Sequence, residues 1–262
     1  MKDKQLLFLV NRFYATQKER LALGEQIGAI VRKAKEEGLT EEQIAQHTEK
    51  MSSFFSRYLA LEEELGGFIE KDIKVEPMWK EFLKGVKGIG PLLGASLLVL
   101  IDIEKGEHIS SLWKYAGLDV AEDGRGRTKE KEHLVPRQYK NKKGEIVDTV
   151  GITYNPTLKT VCWEIGEQFI KCRKSKYRNI YDTSKEFYKK KFPDEVKVKE
   201  KGKKTRTKYN KLHIHNMARR RMVKAFLSDF WVAWREHDGL PTSVPFAHRG
   251  EEARNKIKEL IS

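Results

Sequence analysis

Hydrophobic residues recur at helical spacing from the beginning of the chain. Residues 3–37 carry one apolar stripe, and Gly38 is placed to end the helix that this stripe predicts. Thr40 then has the position of an N-cap, with Gln43 three residues later to complete a capping box. The stripe consists of Leu6, Val10, Phe13, Ile27, Val31 and Ala34, with interruptions at Gln17, Arg20 and Gly24.

The helix that follows Thr40 has a more regular seam. Its members are Ile44, His47, Met51, Phe54, Tyr58, Leu61, Leu65 and Phe68. Alternating three- and four-residue spacing over three heptads is typical of a helical hairpin or a coiled coil. We expect residues 1–75 to form such a domain. The seam fits packing within one chain and self-association between chains, and a homo-oligomer through residues 1–75 is the expected assembly.

Residues 76–245 are predicted to form a second, mainly helical domain, so the fold class is mainly α. A polar, basic stretch over 121–153 contains two β-like runs, which predicts a small basic β-hairpin inserted between helices. Residues 195–208 keep no hydrophobic period and are predicted to be a mobile basic loop. Residues 246–262 are predicted to be a tail helix. Helices are expected over 77–86, 92–101, 177–191 and 210–236. A short helix capped by Ser110 is expected to stop at Gly117, and another with Asn155 as cap and Pro156 as first residue is expected to carry Leu158, Val161, Ile165 and Phe169.

Charge is distributed unevenly along the 262 residues, whose net charge is +14. Residues 123–262 contain 35 Lys and Arg against 18 Asp and Glu, whereas residues 1–122 contain 17 against 20. A one-sided positive charge indicates a polyanionic partner. The longest apolar run, Leu92–Ile101, is too short to span a membrane. Cys162 and Cys172 lack partners at disulfide or metal-ligand spacing, which favours free thiols in a cytoplasmic protein.

The segment Val86–Pro91 has the sequence VKGIGP between two apolar helices. Glycine permits positive φ and close approach of a ligand to the backbone, and the helix that begins at Pro91 adds free amides. The pattern predicts a helix-hairpin-helix in which Lys87, Gly88 and Gly90 hold phosphates while Ile89 plugs the core. A purely structural turn is the alternative. Dinucleotide binding is disfavoured, because a third glycine at the required spacing is absent.

Together with this turn, residues 84–120 resemble the opening of the C-terminal domain of a transposase family. It is the family of bridge-RNA-guided insertion-sequence transposases with a DEDD, RuvC-like domain. Further elements of that family match in order over residues 79–240. The matching segments are Lys87–Gly90, Leu92–Ile101, Tyr115–Leu118, Tyr154–Lys159, Phe187–Lys189 and Met217–Val223. The resemblance implies nucleic-acid binding and helical assembly, with a coiled coil before this domain.

Both parts of the family's catalytic machinery are missing from this sequence. Residues 1–75 are helical throughout and cannot supply the metal-binding strands of a RuvC-like domain. The stretch that corresponds to the family's catalytic serine, residues 121–133, contains Thr128 as its only hydroxyl. We therefore expect no catalytic residues, no metal and no cofactor, and enzymatic activity is left open but not favoured.

The sequence thus predicts a non-catalytic nucleic-acid-binding protein, related to transposases of mobile elements and nucleoid-associated if it is cellular. DNA, as a duplex or a junction, is the expected partner, and structured RNA stays open. One alternative is a minimal transposase, recombinase or nuclease with Thr128 or Tyr139 as nucleophile, for which the nearby base, His133, is expected to be an ordinary surface or loop histidine. The other is a structural adaptor for an acidic protein. The expected binding residues are Lys87, Gly88, Gly90, Arg125, Arg127, Lys129, Lys131, Lys140, Lys142, Lys143, Lys203, Lys204, Arg206, Arg219 and Arg220.

Overall fold

The computed structural model describes residues 4–199 and 205–243 and is mainly helical, which confirms the predicted fold class. Over these two ranges, none of the helices is long and apolar enough to cross a membrane. The predicted tail helix over 246–262 lies outside the described residues. The α-helices are α1 (Lys4–Glu36), α2 (Glu41–Ile73), α3 (Pro77–Glu81), α4 (Pro91–Leu100), α5 (Ile109–Tyr115), α6 (Pro156–Lys171), α7 (Lys176–Lys191) and α8 (Lys211–His237). The strands are β1 (Val135–Lys140), β2 (Ile146–Gly151), β3 (Val196–Val198) and β4 (Arg206–Lys208).

The chain divides into two compact units. The first comprises the residues up to Lys80 together with Gly90–Val99, and the second comprises Glu81–Ile89 and the residues from Leu100 onward. The first unit therefore contains the long helix pair, α1 and α2, and most of α4. The second contains both small sheets and the helices α5 to α8.

The boundary between α1 and α2 follows the sequence signals. Gly38 adopts φ +79°, a left-handed conformation that favours glycine at the end of a helix. The Thr40 hydroxyl accepts a hydrogen bond from the Gln43 backbone at 3.3 Å, and the Gln43 side chain accepts one from the Thr40 backbone at 2.9 Å. The predicted capping box is confirmed.

Helix α1 leaves half of the predicted seam of α2 uncovered, since His47, Phe54, Leu61 and Phe68 are exposed. Phe54, Leu61 and Phe68 are 56, 43 and 43 % exposed. The buried stripe of α2 is instead Ile44, Thr48, Glu62, Leu65, Ile69 and Ile73. The reason is that α1 covers one narrow stripe of α2, and Thr48 and Glu62 enter that stripe because they find hydrogen-bond partners there.

A polar contact joins the two long helices where the apolar stripe of α1 is interrupted. Arg20 Nε lies 2.5 Å from Glu62 Oε2, and Gln17 donates to Glu62 Oε1 at 3.0 Å. Burial raises the pKa of Glu62, but these hydrogen bonds outweigh it and hold the pKa below its ordinary value. Gly24 faces the ring of Phe55 one turn further along α1. The interruption noted in the sequence is thus a partly buried ion pair that fixes the alignment of α1 on α2.

The second unit is organised around α8, which packs against α5, α6 and α7. Phe169 and Tyr177 stack at 4.7 Å, and Phe226 of α8 meets both rings edge-on. Trp231 donates to the carbonyl of Gly106 at 2.6 Å, and the buried Arg235 donates to the carbonyl of Ile103 at 2.9 Å. Helix α8 therefore fixes both the aromatic core and the loop before α5.

Two local predictions are wrong in this unit. Ser110 does not cap α5, since the N-cap is His108 and no side-chain hydrogen bond caps the helix. The predicted loop 195–208 is ordered at both ends, where β3 pairs with β4 in antiparallel register. Two valines at alternate positions, Val196 and Val198, suit a short strand, which a search for helical spacing overlooks.

We expect Glu62→Ala to lower the free energy of unfolding by about 1–3 kcal/mol, because the partly buried Arg20 and Gln17 would lose their hydrogen-bond acceptor. Since the folded pKa of Glu62 is depressed, its contribution is present above the unfolded value of 4.5 and is lost as pH falls through the folded pKa. Denaturant unfolding at pH 7 and pH 3 measures both effects. The exposed Glu64→Ala is the control, and an equal change in the two variants would contradict the assignment.

Candidate functional site

The turn at residues 86–91 has the backbone features expected of a tight glycine turn. Gly88 adopts φ +104°, and the Ile89 amide donates to the Val86 carbonyl at 3.0 Å. The side chain of Ile89 is buried, as predicted, and Lys87 is exposed. Helix α4 begins directly after Gly90, whose carbonyl accepts the first helical hydrogen bond, from Gly94.

The two glycines of this turn differ in their surroundings. A Cβ at Gly88 would lie 3.1 Å from Cys172 Sγ and 3.2 Å from Phe169 Cδ1 at the end of α6. A Cβ at Gly90 would meet nothing within 4 Å. Gly88 is therefore required by packing and by its positive φ, whereas Gly90 is open to a ligand.

The predicted basic hairpin is formed by β1 and β2 in antiparallel register. Its tip is closed by Asn141, whose side chain accepts from the backbones of Lys143 and Glu145 at 2.9 and 3.0 Å. Lys140, Lys142 and Lys143 are exposed, and none has an ion-pair partner among the described residues. The tip therefore presents three solvated cations.

The loop before the hairpin contains arginines that form ion pairs and lysines that do not. Arg125 pairs with Asp123 and, at 3.2 Å, with Glu130. Arg127 Nε lies 2.7 Å from the carboxylate of Asp119. Both arginines are partly buried, and their ion pairs hold the loop closed. In contrast, Lys129 and Lys131 are exposed and have no ion-pair partner within the described ranges.

His133 is 2 % exposed, so the expectation of an ordinary surface or loop histidine is wrong. Its Nδ1 lies 2.9 Å from Thr128 Oγ1 and also accepts from the Thr128 backbone at 3.0 Å. This leaves the ring proton on Nε2, which faces Asp123 Oδ2 at 3.2 Å. Burial raises the pKa of Asp123, but hydrogen bonds from Arg125 and His133 outweigh it and lower the pKa to about 2. The result is a hydroxyl, imidazole and ionised carboxylate in sequence.

Three consecutive arginines of α8 have three different environments. Arg219 lies 2.5 Å from Glu167 of α6 and over the ring of Trp163. Arg221 is exposed. Arg220 is partly buried, and its pKa is lowered by burial and by the neighbouring charge of Arg219.

Further cations converge on Arg220 that sequence analysis missed. Burial and the charge of Arg220 lower the pKa of Lys159 and of Lys224. The pKa of His213 is also lowered, by burial and by the charges of Arg220 and Lys208. Lys224 follows Arg220 by four residues, a helical spacing that could have identified it. Lys159 and Lys208 are 61 and 12 residues from Arg220 in the chain, and no local pattern connects them with it.

The side chains of three predicted site residues are not among those that the structure describes. Lys203 and Lys204 lie outside the described residues, and Arg206 belongs to β4 without a described side chain. Over 4–199 and 205–243, no group of three or more His, Cys, Asp or Glu side chains is arranged to hold a metal ion. Both cysteines are free, and burial raises the pKa of Cys162 to about 12.

Neither a scan against protein-family models nor a search of curated proteins finds a match for this chain.

We expect Gly88→Ala to lower the free energy of unfolding by about 1–3 kcal/mol, because alanine is strained at this φ and its Cβ would press on Phe169 and Cys172. Gly90→Ala should leave stability within about 0.5 kcal/mol. Thermal unfolding of the two variants measures the difference. Gly90→Ala can then be used in binding assays, where weaker nucleic-acid binding by a fully stable variant would assign the turn to phosphate contact.

Proposed function

We propose that this protein is a nucleic-acid-binding protein that grips the phosphate backbone, with duplex DNA as the first expected ligand. The observation that carries the proposal is the separation of cations in the second unit. Arg125 and Arg127 of the loop form ion pairs with carboxylates. Five lysines of the loop and hairpin are exposed and have no ion-pair partner among the described residues. These are Lys129, Lys131, Lys140, Lys142 and Lys143. Exposed lysines on flexible stems suit phosphate contacts that do not read bases.

The turn at residues 86–90 supports the same proposal as a second point of contact. Lys87 is exposed, and Gly90 leaves the approach to its backbone open. The amides of Leu92 and Leu93 have no backbone acceptor among the described residues, as is usual at the start of a helix. Such amides bind phosphate oxygens in many proteins.

Self-association through residues 1–75 belongs to the same proposal. His47, Phe54, Leu61 and Phe68 recur every seven residues along α2 and are exposed. A second copy would multiply the phosphate contacts of one assembly. Sedimentation equilibrium of the full chain tests this part, and a single-chain mass at micromolar concentration would contradict it.

We expect affinity for duplex DNA to fall by about 10³–10⁵ between 50 and 200 mM salt if six to ten phosphates are neutralised. Replacement of Lys140, Lys142 and Lys143 by Gln should reduce the slope of log affinity against log salt by about 3. Fluorescence anisotropy at several salt concentrations measures both quantities.

The matched control replaces Lys18, Lys35 and Lys50 by Gln. These lysines are exposed on α1 and α2, and their replacement removes the same amount of charge. An equal loss of slope in control and test variants would overturn the role of the hairpin. Binding to polyglutamate but to neither DNA nor structured RNA would favour the adaptor for an acidic protein.

One specific observation favours a second candidate function, strand cleavage by Thr128. Its hydroxyl lies 2.9 Å from His133 Nδ1, and the imidazole faces the ionised Asp123. In such a step the hydroxyl proton would pass to His133, Thr128 Oγ1 would bond to phosphorus, and the leaving sugar oxygen would take a proton from His133. Tyr139 is exposed and has no side-chain partner within the described ranges, so it lacks such a base.

Incubation of purified protein with labelled strands and Mg²⁺ separates the two functions. Under the binding proposal every strand stays intact, and Thr128→Val affects only stability because the contacts to His133 and Glu130 close the loop. Cleavage or a covalent protein adduct that is lost in Thr128→Val and kept in the exposed control Thr149→Val would establish the catalytic candidate instead.

A further inference from the structure

We propose that Arg220 is the centre of a single-strand site that holds one internal phosphodiester and the two unstacked nucleotides beside it. The inference rests on the proposed function and deepens it, since it names the form of nucleic acid and the residues that hold it. It draws on three observations in the second unit: a guanidinium without a partner, two clefts that share it, and an aromatic wall in one of them.

The guanidinium of Arg220 makes no hydrogen bond and has no carboxylate within 4.0 Å among the described residues. Three neighbouring arginines, Arg127, Arg125 and Arg219, are by contrast occupied by Asp119, Asp123 and Glu167. A partly buried cation without a partner is costly to the folded protein, and it is stabilised when an anion enters. This is the expected condition of an anion site in its free state.

Positive charge exceeds negative charge around Arg220. Asp119 is the carboxylate that acts on Arg220, Lys159 and Lys224, and it already receives a hydrogen bond from Arg127 at 2.7 Å. Asp119 therefore acts on four cationic side chains, and the carboxylate that lines the larger cleft, Asp123, is already paired with Arg125. A phosphodiester would supply the missing negative charge, and a guanidinium is suited to two of its oxygens.

Two clefts flank Arg220 and share three residues, Lys208, His213 and Arg220. Their volumes are about 350 and 420 Å³. Each lies in the range of pockets that take a small organic molecule, so each has room for one nucleoside but not for a duplex. A phosphate at the shared residues would direct its two nucleosides into different clefts, which requires that the bases are not stacked on each other.

The smaller cleft has an aromatic wall suited to a base. The rings of Phe192 and Tyr209 stack at 4.0 Å and within 3° of parallel, and His213 continues the stack at 5.5 Å. Tyr209 holds its ring there at φ +61°, a conformation that residues other than glycine seldom adopt. Tyr188 lines the same cleft. Aromatic faces of this kind bind the bases of single strands with little sequence preference.

The larger cleft has a polar wall, which includes Asn210, Asn216 and the ion pair of Asp123 with Arg125. The side-chain oxygen of Asn210 is used to cap α8, and that of Asn216 accepts from Arg219. Their amide nitrogens are thus left to donate hydrogen bonds to a base or sugar. The two clefts therefore offer stacking on one side of the phosphate and hydrogen bonding on the other.

The test measures the affinity of the full-length protein and of its Arg220→Met variant for two fluorescent ligands. These are a single-stranded oligothymidylate of twelve nucleotides and a duplex of equal length. The control is Arg173→Met, since Arg173 is exposed, belongs to the same unit and lines neither cleft. We expect Arg220→Met to weaken binding of the single strand about tenfold or more beyond the control. The duplex should respond equally to both variants. The melting temperature of Arg220→Met should not fall, because an unpaired, partly buried charge is removed.

Gly126→Ala provides a second variant that keeps the charge. A Cβ at Gly126 would collide with the end of the Arg220 side chain, which must then move. We expect weaker single-strand binding from this variant too. Equal single-strand affinities for Arg220→Met and Arg173→Met, or equal losses for strand and duplex, would overturn the inference while the proposed function stands. Failure of the unmodified protein to bind either nucleic acid would overturn both.

Discussion

The second unit depends on one helix, α8, which both forms its core and carries arginines on its surface. Its apolar positions carry the aromatic core through Phe226 and Trp231, and the same helix must present three consecutive arginines. Successive residues of an α-helix differ by about 100° in direction, so these arginines cannot share one environment. One is neutralised by α6, one is partly buried without a partner, and one is solvated. The burial of the core fixes the helix, and the helix thereby fixes where the unpaired charge lies.

A comparable constraint acts in the first unit, where an ion pair sits inside the stripe that joins α1 to α2. A helix pair with an uninterrupted apolar seam can slide by a turn at little cost, because one apolar contact replaces another. Arg20 and Glu62 remove that freedom, since another alignment would leave the buried Glu62 and the partly buried Arg20 without each other. The hydrophobic residues thus supply stability, and the polar pair supplies the alignment.

The amount of charge in a sequence differs from the charge that a folded protein offers to a ligand. Arg125 and Arg127 are among the expected binding residues together with Lys129 and Lys131, yet both arginines lie in ion pairs with carboxylates of their own loop. An arginine can bind a carboxylate through two parallel hydrogen bonds, whereas a lysine acts as a single strongly hydrated charge. This difference explains why the arginines close the loop and the lysines remain in solvent.

The sequence by itself determined the mainly helical fold, the capping box at Thr40, the basic hairpin and the glycine turn at residues 86–90. Their signals lie between residues a few positions apart, and local geometry is decided by such neighbours. Only the tertiary structure decided which face of α2 is covered, that His133 is buried, and that Arg220 lacks a partner while Arg219 has Glu167. Those outcomes depend on groups brought together from distant parts of the chain, whose burial and pairing energies no local pattern records.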